Sequence, residues 1–443
     1  MFRKVMHDLI HWKNRPDRKP LIIRGARQVG KTWLMREFGR TEYHRCAYIN
    51  FDNNARMQEL FNGDLDIERL VAALRIESGV AIDARDTLLV FDEVQEVPQA
   101  LSALKYFCEN APEYHIVAAG SLLGVALHPG TSFPVGKVEF LDLSPLDFRE
   151  FLLATGNESL ERLLASLDYA LMKTFKGRYI DLLKQYCYVG GMPEAVARFA
   201  ETRDYSAVRE IQRRILTAYE QDFSKHAPAA TVPRLRMLWD SIPAQLAKEN
   251  RKFVYGLIRQ GARAREFELA MQWLADCGLV TKVGRVAKPD MPLTAYQDFD
   301  AFKLFILDVG LLSVLSGLDA RSLLEGSNIF EEFKGTLTEQ YVLQQLIASG
   351  IRPYYWSAEK STGEIDFVFQ RGGDVVPLEV KAAENLQSKS LKNYCLKYQP
   401  RVAVRASLSD YRQEDWLTNV PLYAVPVLTE ILQNHSRDGA RKG

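Results

Sequence analysis

The stretch Leu21–Thr32, LIIRGARQVGKT, decides the fold of the N-terminal part of the chain. It fits the pattern G-x-x-x-x-G-K-[ST], with Gly25, Gly30, Lys31 and Thr32 in the fixed places. Glycines are needed because backbone N–H groups must curl closely around phosphate oxygens. Lys31 then places a positive charge at the β- and γ-phosphates, the Thr32 hydroxyl ligates Mg²⁺, and the positive end of the following helix dipole faces the anion. The stretch predicts a phosphate-binding loop between a strand and a helix.

The loop as a whole is predicted to contact ATP. The predicted nucleotide-binding residues are Gly25, Ala26, Arg27, Gln28, Val29, Gly30, Lys31, Thr32 and Trp33, together with Asp92. The side chains of Arg27 and Gln28 have no assigned role beyond the shape of the loop.

A second motif, TLLVFDEVQE, places two acids at the end of an apolar strand, 61 residues after Lys31. Asp92 is expected to hold Mg²⁺ through water, and Glu93 to orient or polarise the attacking water. Ser121 ends the next strand, HIVAAGS, and is predicted to contact the γ-phosphate or that water. A serine that only shapes a turn is the alternative for Ser121.

Short apolar runs alternate with helical patterns from residue 20 to about residue 143, which predicts a parallel sheet with helices on both faces. The predicted strands are Leu21–Arg24, Ala47–Phe51, Leu88–Phe91, His115–Ala119 and Lys137–Leu141. Beyond Pro145 the pattern turns helical, and Pro228 and Pro233 mark a boundary. The predicted division of this α/β protein is a P-loop ATPase core at 1–143, a helical lid at 144–228, a winged helix-turn-helix at 229–300 and a second α/β domain at 301–443.

Composition excludes several classes of protein. Lys plus Arg number 57 against 56 Asp plus Glu, so no global field attracts the chain to nucleic acid or membrane. The N-terminus lacks the apolar core of a signal peptide, and the apolar run Leu304–Leu318 is interrupted by Asp308. Five scattered cysteines form no C-x-x-C pair. These observations predict a cytoplasmic protein with reduced thiols and no membrane segment.

These residues also carry a family resemblance. The combination of GARQVGKT, YINFD, FDEVQE, AAGSLLG, SPLDFREF and YVGGMPEAV resembles a family of predicted prokaryotic AAA-type ATPases. In that family the ATPase core is followed by a winged helix and a restriction-endonuclease-like domain of unknown function. The resemblance implies the same order here, over nearly the whole chain to about residue 410.

Residues 235–300 read as helices followed by a hairpin, the order of a winged helix. Phe267, Ala270, Met271 and Leu274 share one helix face. The segment before them carries a basic patch without acids, made of Arg251, Lys252, Arg259, Arg263 and Arg265. Such a patch suits phosphate contacts with DNA, whereas Glu266, Glu268 and Asp276 would repel it. A packing module between the neighbouring domains is the alternative.

The C-terminal part contains GEIDFVF and PLEVK, so Asp366, Glu379 and Lys381 fit the D-x(n)-E-x-K signature of restriction-like nucleases. Two neighbouring carboxylates favour a divalent ion between them, and a lysine two residues along the strand faces the same side. The resemblance adds Glu339 as a further metal ligand. A degenerate domain used for binding is the alternative to a live nuclease, in which Glu379 and Lys381 would be catalytic.

The sequence thus predicts a Mg²⁺-dependent ATPase, with ATP and Mg²⁺ as cofactors, whose nucleotide state controls a winged helix and a nuclease-like domain that act on DNA. One alternative is an ATP-gated, metal-dependent DNA nuclease, and another is a slow-turnover switch that binds a protein partner. Many relatives carry Gly-Arg where this chain has Gly136–Lys137, so a charge-stabilising arginine would come from Arg149, Arg178 or a neighbouring subunit. A homo-oligomer is therefore left open.

Overall fold

The computed structural model describes residues 1–120, 134–248, 252–320, 330–358, 363–383 and 388–441. These residues divide into two compact units. The first unit comprises Phe2–Ser144 with Asp276–Leu279, and the second contains the rest of the chain. The division into four segments drawn from the sequence remains a prediction.

The first unit is an α/β layer structure. Its helices are α1 (Met6–Asn14), α2 (Lys31–Glu42), α3 (Ala55–Asn62), α4 (Ile67–Ser78) and α5 (Pro98–Asn110). Its strands are β1 (Leu21–Arg24), β2 (Arg45–Asn50), β3 (Thr87–Asp92), β4 (His115–Ala119) and β5 (Glu139–Asp142). Within the described residues these strands pair in parallel in the order β2-β3-β4-β1-β5. The parallel sheet predicted from the alternating pattern is confirmed.

Because the strands are parallel, the carboxyl ends of β1 and β3 lie at the same edge of the sheet. In the strand order, β4 alone lies between these two strands. Strand β3 is buried along its whole length, as its run of apolar residues predicts. A cluster of buried residues on one side of the sheet includes Ile22, Ile49, Leu89, Phe91 and Leu104. Loops that follow β1 and β3 are thereby held side by side on a rigid support.

The second unit begins with a helical stretch. Its helices are α6 (Phe148–Ala154), α7 (Glu158–Ser166), α8 (Tyr169–Thr174), α9 (Lys176–Val189), α10 (Pro193–Thr202), α11 (Tyr205–His226), α12 (Val232–Leu246) and α13 (Ala264–Asp276). Helix α13 buries Phe267, Ala270, Met271 and Leu274, the face that their spacing predicts.

The remainder of the second unit forms a mixed sheet with further helices. The strands are β6 (Val280–Val286), β7 (Gln297–Ile306), β8 (Tyr354–Ser357), β9 (Glu364–Arg371), β10 (Asp374–Val380), β11 (Val404–Ser407), β12 (Arg412–Gln413) and β13 (Thr418–Pro421). The helices are α14 (Val309–Leu315), α15 (Phe330–Ala348), α16 (Lys389–Tyr398) and α17 (Leu428–Arg441). In the described residues the strand order is β12-β13-β11-β10-β9-β8-β6-β7.

Two features of this sheet differ from the sequence predictions. The hairpin β6–β7, predicted as the wing of a separate module, continues the sheet through a parallel pairing of β6 with β8. A boundary at residue 300 falls inside β7. The strand predicted at Arg401–Val404 lies at Val404–Ser407 instead. A charged residue can lie inside this buried strand because Arg405 donates hydrogen bonds to Asn419 and Ser388.

The glycine pair of YVGGMPEAV has a structural reason within the second unit. Gly191 donates its N–H to the buried Asp308 carboxylate at 2.6 Å, and a Cβ at this position would overlap the carbonyl oxygen of Leu146. Asp308 also caps α14 by accepting the N–H of Leu311, and it accepts a hydrogen bond from Gln344 in α15. Burial raises the pKa of Asp308. The acid that interrupts an apolar run in the sequence therefore joins three segments of this unit.

Among the described helices, no segment combines the length and apolarity that a bilayer crossing requires. All five cysteines carry free thiols.

Candidate functional site

The phosphate-loop sequence lies between β1 and α2, as its pattern predicts. Gly25 has a φ of +150°, and a Cβ on this residue would overlap the carbonyl oxygen of Leu143, the residue after β5. Gln28 adopts a left-handed backbone with φ of +67°, which strains a residue that carries a side chain. The loop is thus held in a specific curl between β1 and the first turn of α2.

Lys31 folds back over this loop. Its ammonium donates to the carbonyl oxygens of Gly25 at 2.9 Å and Ala26 at 2.8 Å, and only 7% of the residue is exposed. Burial lowers the pKa of Lys31 to about 8, although the nearby carboxylates of Glu93 and Asp92 oppose that shift. A buried cation whose partners are mainly neutral carbonyls is well placed to accept an anion in exchange.

Asp92 is the centre of the polar contacts at the end of β3. One of its oxygens, Oδ2, accepts the Thr32 hydroxyl at 2.6 Å and the Tyr48 hydroxyl at 2.8 Å. The structure therefore brings the predicted Mg²⁺ ligands, Thr32 and Asp92, into direct contact. A hydroxyl in the first turn of α2 and a carboxylate at the end of β3 are oxygen donors of the kind that Mg²⁺ takes in phosphate sites. These residues fit the predicted ion.

Glu93 follows directly in a left-handed conformation with φ of +52°. Its Oε2 atom accepts a hydrogen bond from the Gln95 amide at 2.6 Å, across a short turn that begins at Val94. Glu93 is half-buried and contributes to the electrostatic field at Lys31. The carboxylate predicted to polarise water is therefore at the same site as Lys31 and is restrained by its neighbour.

The other predicted loop residues divide by exposure. Ala26 and Val29 are buried, whereas Arg27, Gln28, Thr32 and Trp33 are exposed, and Gly25 and Gly30 are intermediate. Ser121 lies outside the described residues, so its predicted role remains a prediction. The contacts of Tyr48 with Asp92 and of Gln95 with Glu93 were not predicted from the sequence. The signal for Gln95 was present in FDEVQE, two residues after the predicted hydrolytic acid.

Of the arginines considered as charge-stabilising groups, Arg149 pairs with Glu161 at 2.5 Å and Arg178 is exposed. Lys137, at the position where relatives carry arginine, pairs with Glu109 at 2.9 Å.

The C-terminal acids are arranged differently from the predicted metal centre. No three His, Cys, Asp or Glu side chains are grouped to hold a metal ion in the described part of the chain. Glu339 and nearby Glu364 both face Lys303, whose Nζ atom lies 3.7 Å from Glu339 Oε2 and 2.6 Å from Glu364 Oε1. The structure therefore does not bring Glu339, Asp366 and Glu379 together as a metal site.

Asp366 and Glu379 have protein partners of their own. Asp366 Oδ2 accepts the backbone N–H of Val380 at 2.7 Å. Glu379 is buried and its Oε1 atom pairs with Lys381 at 2.9 Å, so the predicted catalytic pair is in contact. As placed, these residues do not fit a divalent ion.

The basic patch of the predicted winged helix is partly neutralised. Arg259 pairs with Glu266 at 2.6 Å, while Lys252, Arg263 and Arg265 are exposed. Arg251 lies outside the described residues.

Comparison with known proteins agrees with the geometry of the first unit. Residues 17–152 match a family model described as an AAA domain. Residues 180–322 and 334–425 match two further models, each described as a domain of unknown function (DUF8612 and DUF4143). Lys31, Thr32, Asp92 and Glu93, which lie at one edge of the parallel sheet, all fall within the residues that match the AAA-domain model.

Several solved structures resemble the chain loosely. A Walker-type ATPase of Pyrococcus abyssi is 14% identical over 71% of this chain and 95% of its own, with a TM-score of 0.42. Orc1 of Aeropyrum pernix, solved in complex with DNA, is 17% identical over 71% and 91%, with a TM-score of 0.28. Cdc6p of Pyrobaculum aerophilum is 14% identical over 70% and 90%, with a TM-score of 0.25. Among curated proteins, no significant relative was found.

Proposed function

We propose that this chain is a Mg²⁺-dependent ATPase whose nucleotide state controls the C-terminal part of the molecule. The observation that carries the proposal is the meeting of Lys31, Thr32, Asp92 and Glu93 at one sheet edge, with Thr32 Oγ1 2.6 Å from Asp92 Oδ2. Each residue type suits one task in phosphoryl transfer to water, and the four tasks together make a hydrolytic site.

The proposed mechanism assigns those tasks to atoms of this chain. Backbone N–H groups of Gly25–Thr32 cradle the phosphates, and the Lys31 ammonium leaves its carbonyl partners to contact the β- and γ-phosphates. Thr32 and Asp92 would hold Mg²⁺, which would supply positive charge to neutralise the phosphates. Glu93 orients a water in line with the γ-phosphate and accepts its proton, directly or through a further water.

The experiment is a thermal-shift titration with ATP and Mg²⁺. At roughly 100 times the Kd, binding to the folded state should add about 2.7 kcal/mol to the free energy of unfolding. Lys31→Ala should abolish the shift, and Lys105→Ala, at an exposed lysine on α5, should leave it unchanged. Glu93→Gln should keep the shift and lose phosphate release. Absence of any shift in the wild type would refute the proposal.

A second candidate is a slow-turnover switch that binds ATP and retains it. The hydrogen bond from Gln95 to Glu93 favours it, because this contact at 2.6 Å occupies one of the two carboxylate oxygens and restrains the group. Single-turnover kinetics separate the two candidates. A hydrolysis step much slower than nucleotide exchange excludes a retained-nucleotide switch, and tight retention with slow hydrolysis supports one.

The proposed action on DNA rests on the basic side chains before α13 and in its first turn, of which Arg263 and Arg265 are exposed. If these side chains contact phosphates, replacing both with alanine should weaken binding to duplex DNA of any sequence and reduce its dependence on salt by about 2 in the log–log slope. Equal affinity and slope in wild type and variant would remove DNA from the proposal and leave the packing-module alternative. A change in DNA affinity between ATP and ADP would support the coupling.

A further inference from the structure

We propose that Lys303 is a built-in counter-ion that takes the place of a divalent metal in the C-terminal carboxylate cluster, which makes that cluster an ion-pair core of the domain. The proposal is independent of the ATPase function. It concerns Glu339, Asp366 and Glu379, on which the sequence predicts a nuclease centre, together with Glu364, which pairs with Lys303.

The position of the lysine is the first observation. Lys303 lies in β7 and is fully buried, with its ammonium 2.6 Å from Glu364 Oε1 and 3.7 Å from Glu339 Oε2. Its ammonium also lies 5.0 Å from the centre of the Tyr355 ring, whose face is electronegative. Glu339, one of the acids expected to ligate the metal, therefore already faces a cation of the same chain.

The electrostatics keep the lysine charged in this place. Its ammonium lies within ion-pair distance of the carboxylates of Glu364 and Glu339, whose negative charge favours the charged form of a buried amine. The acids gain from the same contact, because burying a carboxylate without a counter-charge is strongly unfavourable. A charged lysine with no exposed surface cannot move aside into solvent for an incoming ion.

The negative charge of Glu379 is likewise balanced by cations of the same chain. Glu379 pairs with Lys381 at 2.9 Å, and the strand register places Glu379 beside Arg405 of β11. Arg405 is 2% exposed and continues the polar row to Asn419 of β13 through a 2.9 Å hydrogen bond. The row across the sheet therefore contains its own cations, and a divalent ion would add excess positive charge.

The experiment is a Mn²⁺ titration of the nucleotide-free full chain, followed by the electron paramagnetic resonance signal of free Mn²⁺. We expect Lys303→Met to gain a Mn²⁺ site at least ~10-fold tighter than any in the wild type, and the gain to disappear when Asp366→Asn is added. Lys282→Met is the matched control, because Lys282 is exposed on the adjacent strand β6. Manganese held by the phosphate loop is common to all variants and cancels in the comparison.

A second variant protects the test from a folding failure. Lys303→Met removes the cation that pairs with Glu339 and Glu364, so Lys303→Met combined with Glu364→Gln removes one acid with the lysine and keeps Glu339, Asp366 and Glu379. A folded double variant that gains no Mn²⁺ site overturns the proposal. The wild type provides an independent test through Glu379 Oε2, which accepts no hydrogen bond from the described residues. Wild-type Mn²⁺ binding that is lost in Glu379→Gln would also overturn the proposal.

Discussion

At the scale of single residues, Lys31 gives the phosphate loop a property that a titration can measure. Its pKa is lowered to about 8 by burial, with Asp92 and Glu93 opposing the shift and Arg27 adding to it. Bound phosphates must raise this pKa, because their negative charge favours the ammonium. At pH 8 about half of the free protein carries the proton on Lys31, so ATP binding should take up about half a proton.

Isothermal titration calorimetry in buffers of different ionisation enthalpy measures that uptake. The uptake should fall toward zero at pH 6.5, where Lys31 is already protonated before ATP binds. Lys31→Arg is the control, because a guanidinium stays charged in both states and should show no uptake at pH 8. Proton release at pH 8 in the wild type would contradict the assignment.

Gln95 offers a second test at the same scale. Its amide holds Glu93 Oε2 at 2.6 Å, which occupies one carboxylate oxygen and restrains the group that is proposed to act on water. Gln95→Ala should therefore raise kcat up to ~10-fold, which corresponds to about 1.4 kcal/mol of activation free energy, with KM unchanged. Gln99→Ala, at an exposed position on the neighbouring helix α5, should change neither constant. A fall in kcat would mean that Gln95 positions Glu93 productively.

At the scale of elements, the glycine pair before α10 sets a steric limit that a matched substitution can probe. A methyl group on Gly191 would overlap the carbonyl oxygen of Leu146, so Gly191→Ala should lower the free energy of unfolding by about 1–3 kcal/mol. Gly177→Ala is the matched control, since Gly177 lies in α9 with open space around its Cβ position. That variant should gain roughly 0.5–1 kcal/mol. Urea denaturation of both variants checks the opposite signs.

The elements of the first unit could be predicted well from the sequence because their determinants are local. Strand β1 and strand β4 have the predicted bounds, and β2, β3 and β5 are displaced by at most two residues at either end. Strand β3 extends through Asp92, whereas the strand predicted from the apolar residues ends one residue earlier, at Phe91. The side chain is tolerated there because the Thr32 and Tyr48 hydroxyls donate to it.

The C-terminal site could not be predicted as well, because its determinant is a residue far from the signature motif. A search for metal ligands considers acids and overlooks a lysine. The signal was the sequence FKLFI, in which Lys303 interrupts the apolar, buried second half of β7. An isolated cation in a buried strand requires buried counter-charges, and Glu339 and Glu364 supply them from elements that follow in the chain. Spacing along the sequence does not reveal such a pairing.

At the scale of the whole molecule, the second unit depends on contacts between residues before position 322 and residues after position 334. These positions are the end of one family match and the start of the next. Strand β6 pairs with β8, and Gln345 of α15 accepts the N–H of Phe148 at 2.9 Å. A fragment of residues 1–322 should therefore be insoluble or readily proteolysed, because it loses β8 and the Gln344 partner of Asp308. Co-expression with residues 323–443 should restore a soluble complex. A monomeric 1–322 fragment with cooperative unfolding would contradict this interdependence.

The exposure of Trp33 has a practical consequence for all of these measurements. Trp33 and Trp416 are 40% and 38% exposed, whereas the other four tryptophans are at most 6% exposed. Acrylamide should therefore quench the emission of these two indoles selectively. With Trp416→Phe, the accessible fluorescence would come from the residue immediately after Thr32, and the protein would report nucleotide occupancy optically without an attached dye.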